Sequence, residues 1–170
     1  LSPEDRITFG AARKKEVETL IAKGALKKLT VSEAKASEQK HGIENILDSG
    51  FVDKWKTTDD GKIAKSRHVI KGWRDPMILQ IERTAPAPAE LDEAAVMQVI
   101  ASEGWDAFVG DVRNAFGQSR PSNRSTPICC RQPPEGIPGM LPGEFLQCIT
   151  ECYGLVSGPA WWRSTFTGWL

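Results

Sequence analysis

Long apolar runs are missing from this chain. Nowhere do about 18 consecutive residues lack charge, so no membrane-spanning helix is expected. The opening LSPEDRITFG has no basic start followed by an apolar stretch, which excludes a secretory leader within it. The sequence begins with Leu1 rather than Met, and a piece of something longer is expected. Histidine is scarce. Only His41 and His68 occur, neither in a triad or metal-pair spacing, and both read as surface or hairpin residues. The four cysteines, Cys129, Cys130, Cys148 and Cys152, form an adjacent pair and a C-x-x-x-C pair. Neither matches the usual zinc spacings, and a disulfide framework does not suit a chain of 170 residues without a leader. Reduced, mostly buried thiols are expected.

Net charge is also lacking, since 22 basic residues balance 22 acidic ones. The distribution says more than the sum. Residues 54–74 carry Lys54, Lys56, Lys62, Lys65, Arg67, Lys71 and Arg74 against Asp59 and Asp60, seven minus two, or +5. Residues 75–111 carry eight acids against Arg83 alone, a net of −7. The first segment suits either polyanion contact or a solvated hairpin face.

What is present is a soluble-type composition, 40% hydrophobic and 26% charged, enough for one domain or two small subdomains. Ser2-Pro3-Glu4-Asp5 predicts a capped helix start, with Phe9, Val17, Leu20 and Ile21 on one face and Gly24 as the stop. Residues 25–29 read as a strand and 30–44 as a loop or weak helix. ILDSGFVDKWK (46–56) and IAKSRHVIKGW (63–73) flank a turn containing Asp60-Gly61, a strong hairpin signal. Residues 77–88, with Pro86 and Pro88, read as a connector. Residues 90–103 predict a helix burying Leu91, Ala94, Ala95, Val99 and Ile100. Trp105–Val112 predicts a strand, Asn114–Phe116 a turn or short helix, and 128–131 and 145–149 two further strands. A Trp-rich helix follows Gly158-Pro159. Trp161, Trp162 and Trp169 read as core residues rather than base-stacking platforms.

The order of these segments resembles the reverse transcriptase domain of copia-type LTR retrotransposons. ILDSGFVDKWK…DGKIAKSRHVIKGWRDP is similar to that family's opening hairpin, with its K-x-R-x-V core. WDAFVGDVRNAF resembles its first catalytic motif, QPPEGIPG its Q-P-x-G-like turn, and CYGLVSGPAWW its Y-G-L…P…W motif. VETLIAKGALKKL resembles the helix and strand that open the domain. The likeness covers about residues 14–170.

The resemblance implies an α+β fold, the fingers and first part of the palm of a right-handed polymerase, truncated. Residues 1–30 would be the first helix and strand, 31–104 a fingers-like region with hairpin 46–73, and 105–170 a partial palm. The implied activity is RNA-directed DNA synthesis by two-metal nucleotidyl transfer. Asp111 would be a catalytic Mg²⁺ ligand, with the Val112 carbonyl completing a metal shell. Lys65 and Arg67 alternate along one strand and would meet the triphosphate from the same face. Phe116 would select against a 2′-hydroxyl, or serve as an ordinary core ring. Tyr153 and Gly154 would line the base and sugar. RNA template, DNA primer and dNTP are the implied partners, with no membrane, inside a cytoplasmic particle or the nucleus.

The chain departs from the family in several places, and the stretch GQSRPSNRSTPICC is only loosely similar to it. Gly117 stands where an aliphatic residue is usual, no basic residue follows Tyr153-Gly154-Leu155, and no later Asp-Asp pair occurs before Leu170. The segment alone is therefore expected to lack polymerase activity. The rival reading is a decayed or repurposed remnant that at most binds nucleic acid.

Overall fold

The computed structural model, which describes residues 2–59, 61–85 and 88–169, contains four helices, a four-stranded sheet and a separate two-stranded ribbon among those residues. Asp60 of the expected Asp-Gly turn and Pro86 of the expected connector lie outside the described residues. The architecture is mixed α+β.

Helix α1 runs Pro3–Ala22 and starts as the sequence directs. The Ser2 hydroxyl accepts from the Asp5 amide at 3.1 Å while the Asp5 carboxylate accepts from the Ser2 amide at 3.2 Å, which satisfies two otherwise orphan donors. Gly24 sits at φ 72 and turns the chain into strand β1, Leu26–Leu29. Helix α2, Val31–His41, is fully formed where only a loop or weak helix was expected. Its apolar signal is poor, and Ala34 is its one buried residue. A Thr30/Glu33 capping box sets its start, with Thr30 N–H donating to Glu33 at 2.9 Å.

The predicted hairpin forms, with its ends shifted. Strand β2, Ile46–Leu47, leaves the hairpin to pair in parallel with β5, Cys129–Arg131. The ribbon itself is β3, Ser49–Thr58, antiparallel to β4, Gly61–Ile70. Strand β6, Phe145–Cys148, lies between β1 and β5, so the sheet order is β1-β6-β5-β2. That sheet takes strands from all three intervals of the chain named above.

The core follows from the alternation of these strands. Leu26, Leu47, Cys130, Leu146 and Cys148 turn to one side, where they meet Val17 and Leu20 of α1, Ile70 of β4 and Leu155. Leu29, Ile46 and Cys129 turn to the other, against Ala34 of α2. Each large aliphatic chain so buried contributes about 1.5–3 kcal/mol. All four cysteines are free and buried, as expected. Hydrogen bonding with Cys130, together with burial, holds the Cys148 thiol well above its ordinary range, so it is a packing group rather than a nucleophile.

Helix α1 also lies along the ribbon. Pairing places Phe51, Asp53 and Trp55 with His68, Ser66 and Ala64 on the face turned toward it. Phe9 meets Trp55 at 5.0 Å between ring centroids, and Arg13 binds Asp53 at 2.7 Å. Burial alone would raise the Asp53 carboxyl, but hydrogen bonds from Arg13 and Ser66 outweigh it and hold the group below its ordinary range. Phe9, Arg13 and Glu16 recur at helical spacing, so one stripe of α1 reads the ribbon from its tip inward.

Three expectations fail here. Helix α3, Glu90–Glu103, forms, but none of its residues is buried and Leu91 is 80% exposed. Trp105–Val112 is not a strand, and Phe108 is 92% exposed. Both segments carry the apolar pattern of a buried element, yet no described residue packs over them as a ladder or core partner. The tryptophans of the last helix, α4 (Gly158–Thr167), are not core residues either. Trp161 is half-buried, donates through Nε1 to the Arg120 carbonyl at 2.9 Å and carries the Arg120 guanidinium 4.3 Å above its ring. Trp162 and the exposed Trp169 meet edge to face at 5.6 Å.

Candidate functional site

The outer face of the ribbon carries Val52, Lys54, Lys56, Ile63, Lys65 and Arg67, and no acid among its described residues. Lys54 pairs across from Lys65, and Val52 across from Arg67. Four cations on one solvent-facing side of a two-stranded ribbon repel one another, and only an external anion or a neighbouring segment relieves that.

One neighbouring segment does so for Arg67. Its guanidinium lies 5.2 Å from the centre of the Tyr153 ring, and that ring also meets Phe116 at 4.8 Å between centroids, tilted by 55°. A guanidinium and two half-buried aromatic rings, from three distant parts of the sequence, thus form one stack. Burial raises the Tyr153 phenol above its ordinary range, and the charges of Glu16 and Asp111 add to that while Arg67 opposes it. Asp111 therefore stands within electrostatic reach of the stack, though on exposed, irregular backbone rather than at a strand end. Val112 follows it, 40% exposed.

Glycines hold the stack in place. Ile70 N–H donates to the Tyr153 carbonyl at 2.9 Å, docking this segment on the end of β4. Gly154 has φ 93, and a Cβ there would run into the Ile70 carbonyl and Val69. A Cβ on Gly72 would strike the Gly154 carbonyl from the other side. Gly117 is explained the same way. It follows Phe116 in the short 3₁₀ turn Ala115–Gln118, where a Cβ would stand 3.2 Å from Leu20 Cδ2. A larger side chain here would require Leu20 to shift.

Behind the stack lies a feature that the sequence reading missed. Arg124, from the irregular 118–127 stretch, is buried between two buried carboxylates. It grips Glu151 with Nε and Nη2 at 2.7 and 2.9 Å, and Asp75 with Nη1 and Nη2 at 3.1 and 2.8 Å. Ser122 donates to Glu151 at 2.6 Å, and Ser157 donates to its other oxygen. Burial would raise the Glu151 carboxyl, but Arg124 and the two hydroxyls hold it below the usual range. Arg124 itself is pushed up by its two partners against the effect of burial. The cluster ties Asp75, which follows the 3₁₀ turn Gly72–Arg74, to the 121–127 stretch and the start of the last helix. Arg124 and Glu151 also line a cleft of about 350 Å³ with Ser122, Cys148 and Leu155. Arg124 is one of two arginines in this Pro/Ser-rich stretch, and only its buried side chain sets it apart from Arg120.

His68 was read as a bland hairpin residue; it is instead 2% exposed, edge-on to Phe51 at 5.4 Å. Burial lowers its pKa to about 4, so it is neutral at physiological pH.

Of the residues singled out from sequence, Arg67, Phe116, Tyr153 and Gly154 come together, with Lys65 one strand repeat away and Asp111 nearby. Mg²⁺ fits less well. Among the described residues no group of three His, Cys, Asp or Glu side chains is placed to hold a metal ion. Asp111 and the Val112 carbonyl supply one carboxylate and one neutral oxygen, short of a two-metal set. No helix among the described residues is long and apolar enough to cross a membrane. No protein-family model, curated protein or solved structure matches the chain.

Proposed function

We propose that this chain is the fingers and leading palm portion of a copia-type reverse transcriptase, and that the Arg67–Tyr153–Phe116 stack is its nucleotide pocket. The carrying observation is that stack: segments named by three separate motifs meet within ring-contact distance. Each part has a physical task. Lys65 and Arg67 share the outer face of β4, where an extended polyphosphate can lie across both. Tyr153 and Phe116 offer ring surface for a sugar and base, and Gly154 lets the backbone approach them closely. Asp111 is one metal ligand. Two Mg²⁺ ions need more carboxylates than this segment provides, so RNA-directed DNA synthesis, with RNA template, DNA primer and dNTP as partners in a cytoplasmic particle or the nucleus, belongs to the complete enzyme.

The test has two arms. A dNTP is expected to bind this segment, and Lys65→Ala with Arg67→Ala is expected to weaken binding at least about tenfold, the worth of one to two charge-assisted hydrogen bonds. A primer-extension assay on the segment is expected to show nothing. Template-dependent extension that disappears in Asp111→Asn would mean the segment suffices alone, contrary to this reading.

A second reading rests on the open cationic face of the ribbon. A remnant without chemistry would still attract nucleic acid through Lys54, Lys56, Lys65 and Arg67. Its affinity would fall steeply with salt, by about 0.9 in the log–log slope for each duplex phosphate neutralised. Binding to nucleic acid with no measurable affinity for dNTP selects this reading over the first.

A further inference from the structure

Helix α3 and the run after it present an apolar surface to solvent. Leu91, Val96, Val99, Trp105, Phe108 and Val109 are all exposed, and no residue of the helix is buried. Trp105 stays beside the helix, its amide donating to the Ile100 carbonyl at 3.0 Å. With Ala95, Val96, Val99 and Ile100 it lines an apolar groove of about 300 Å³. Carboxylates stand at both ends of that groove. Asp92 precedes Val96 by one turn and Glu103 follows Val99 by one turn, so all four share a side of the helix. No Lys or Arg occurs between Arg83 and Arg113, so the segment supplies no counter-cation of its own.

The ribbon carries the opposite arrangement. Ile63 is exposed on its outer face. Lys56 pairs across from it, Lys65 follows two residues along the same strand, and Lys54 pairs across from Lys65. An apolar side chain thus stands among three cations, on a face with no acid among its described residues. One surface is a hollow flanked by negative charge, and the other is a knob flanked by positive charge. Within one chain they do not cover each other, since both stay exposed.

We propose that this chain pairs with a second copy of itself, the Ile63 knob of each ribbon seating in the α3–Trp105 groove of the other. A two-fold arrangement makes both contacts at once and closes, whereas a single head-to-tail contact would leave one surface open at each end of a growing assembly. Removing Ile63 and the groove from water supplies the attraction, and the charges set register and exclude like surfaces. Lys54, Lys56 and Lys65 then face Asp92, Glu103 and Asp106, which relieves the mutual repulsion of the cations from outside the chain. The pairing requires no nucleotide in the stack.

Sedimentation equilibrium of the full chain tests the pairing. A monomer–dimer equilibrium in the micromolar range is expected, weakening as salt is raised. Amide exchange across α3, fast in the dilute monomer, should slow as the dimer forms, which gives an answer without any variant. Lys54→Glu with Lys56→Glu reverses the ribbon side, and Glu103→Lys with Asp106→Lys reverses the helix side. The second pair leaves Asp92 on the Ala89 amide and puts cations at the end of the helix, where they suit its dipole. Each double variant alone is expected to self-associate at least about tenfold more weakly. Mixed in equal amounts the two should recover a dimer, now heterotypic, because both of its contacts regain opposite charges. A chain that stays monomeric with α3 exchange independent of concentration overturns the proposal. So does a dimer that neither double variant weakens, or a pair of variants that fail to recover each other on mixing.

Discussion

The Ile70 amide and the Tyr153 carbonyl, 2.9 Å apart, join the end of the ribbon to the segment that carries the stacked tyrosine. Around this bond the two backbones cross so closely that neither Gly72 nor Gly154 has room for a Cβ. Gly154→Ala adds a conformational cost, since its φ of 93 lies where L side chains are strained. Each alanine variant is expected to lose at least about 2 kcal/mol in urea denaturation. Gly50→Ala is the control, because its Cβ would meet open space, and it should stay within about 1 kcal/mol. Near-equal stabilities for all three variants would contradict the crossing.

Removing Arg124 leaves Asp75 and Glu151 as buried carboxylates without their cation. Arg124→Met is expected to cost about 3–5 kcal/mol, measured by chemical denaturation at pH 7. Adding Asp75→Asn and Glu151→Gln to Arg124→Met should recover part of that loss, because the penalty lies in the stranded charges rather than in the missing guanidinium. Three changes that simply add up would show that the charges are not coupled.

Acid should destabilise the fold through His68. Its native pKa of about 4 lies below its unfolded value near 6.5, so the unfolded chain takes up a proton first as pH falls. Stability from this residue is complete above pH 6.5 and drains away between 6.5 and 4, on the order of 3 kcal/mol in all. Glu16, raised rather than lowered, works in the opposite sense, so the comparison with His68→Leu is the informative one. The difference in unfolding free energy between the two proteins should change with pH across 6.5 to 5, and a constant difference would rule His68 out as the source.

Helix α3 and the exposed run after it should be the least protected regular part of the chain. A 14-residue helix without a buried residue has only its own propensity to hold it, and such lengths are marginal in water. Its amides are expected to exchange far faster than those of α1 around Val17 and Leu20. Leu91→Ser should change global stability by less than about 0.5 kcal/mol, whereas Leu146→Ala should cost about 2–5 kcal/mol. Slow exchange through α3 would show a packing partner that the described contacts lack.

The contrast between α2 and α3 shows how far residues can be read without coordinates. Helix α2 rests on the Thr30-x-x-Glu33 capping box, a signal the reading of 30–44 as a loop or weak helix did not use, and it buries only Ala34. Helix α3 is apolar on all sides rather than along one stripe and still forms, yet apolar composition states that a segment seeks burial, not whether anything covers it. Trp105–Val112 fails for the same reason, because an apolar run becomes a strand only when a ladder partner exists. The ribbon was legible because Asp-Gly chemistry and alternation are both local. Arg67, Tyr153, Phe116 and Gly154 were named from motif resemblance, while their meeting depends on the Gly72–Gly154 crossing, which no local pattern encodes. Arg124 was invisible, since it acquires meaning only from the charges that the fold brings to it.

Sheet order sets a timetable for assembly. Leu26 of β1 pairs with Cys148 of β6, and β2 reaches the same sheet only through β5. The ribbon and α1 meet across a separation of 40 residues at Arg13 and Asp53, well under that of Leu26 and Cys148, and can form as soon as residues up to about Ile70 have left the ribosome. The four-stranded sheet cannot close until β6 has been made, because loop-closure entropy must be overcome before its long-range contacts stabilise it. A nascent chain stalled before Phe145 would therefore carry Leu26, Leu29, Ile46 and Leu47 uncovered, a surface for chaperones to hold.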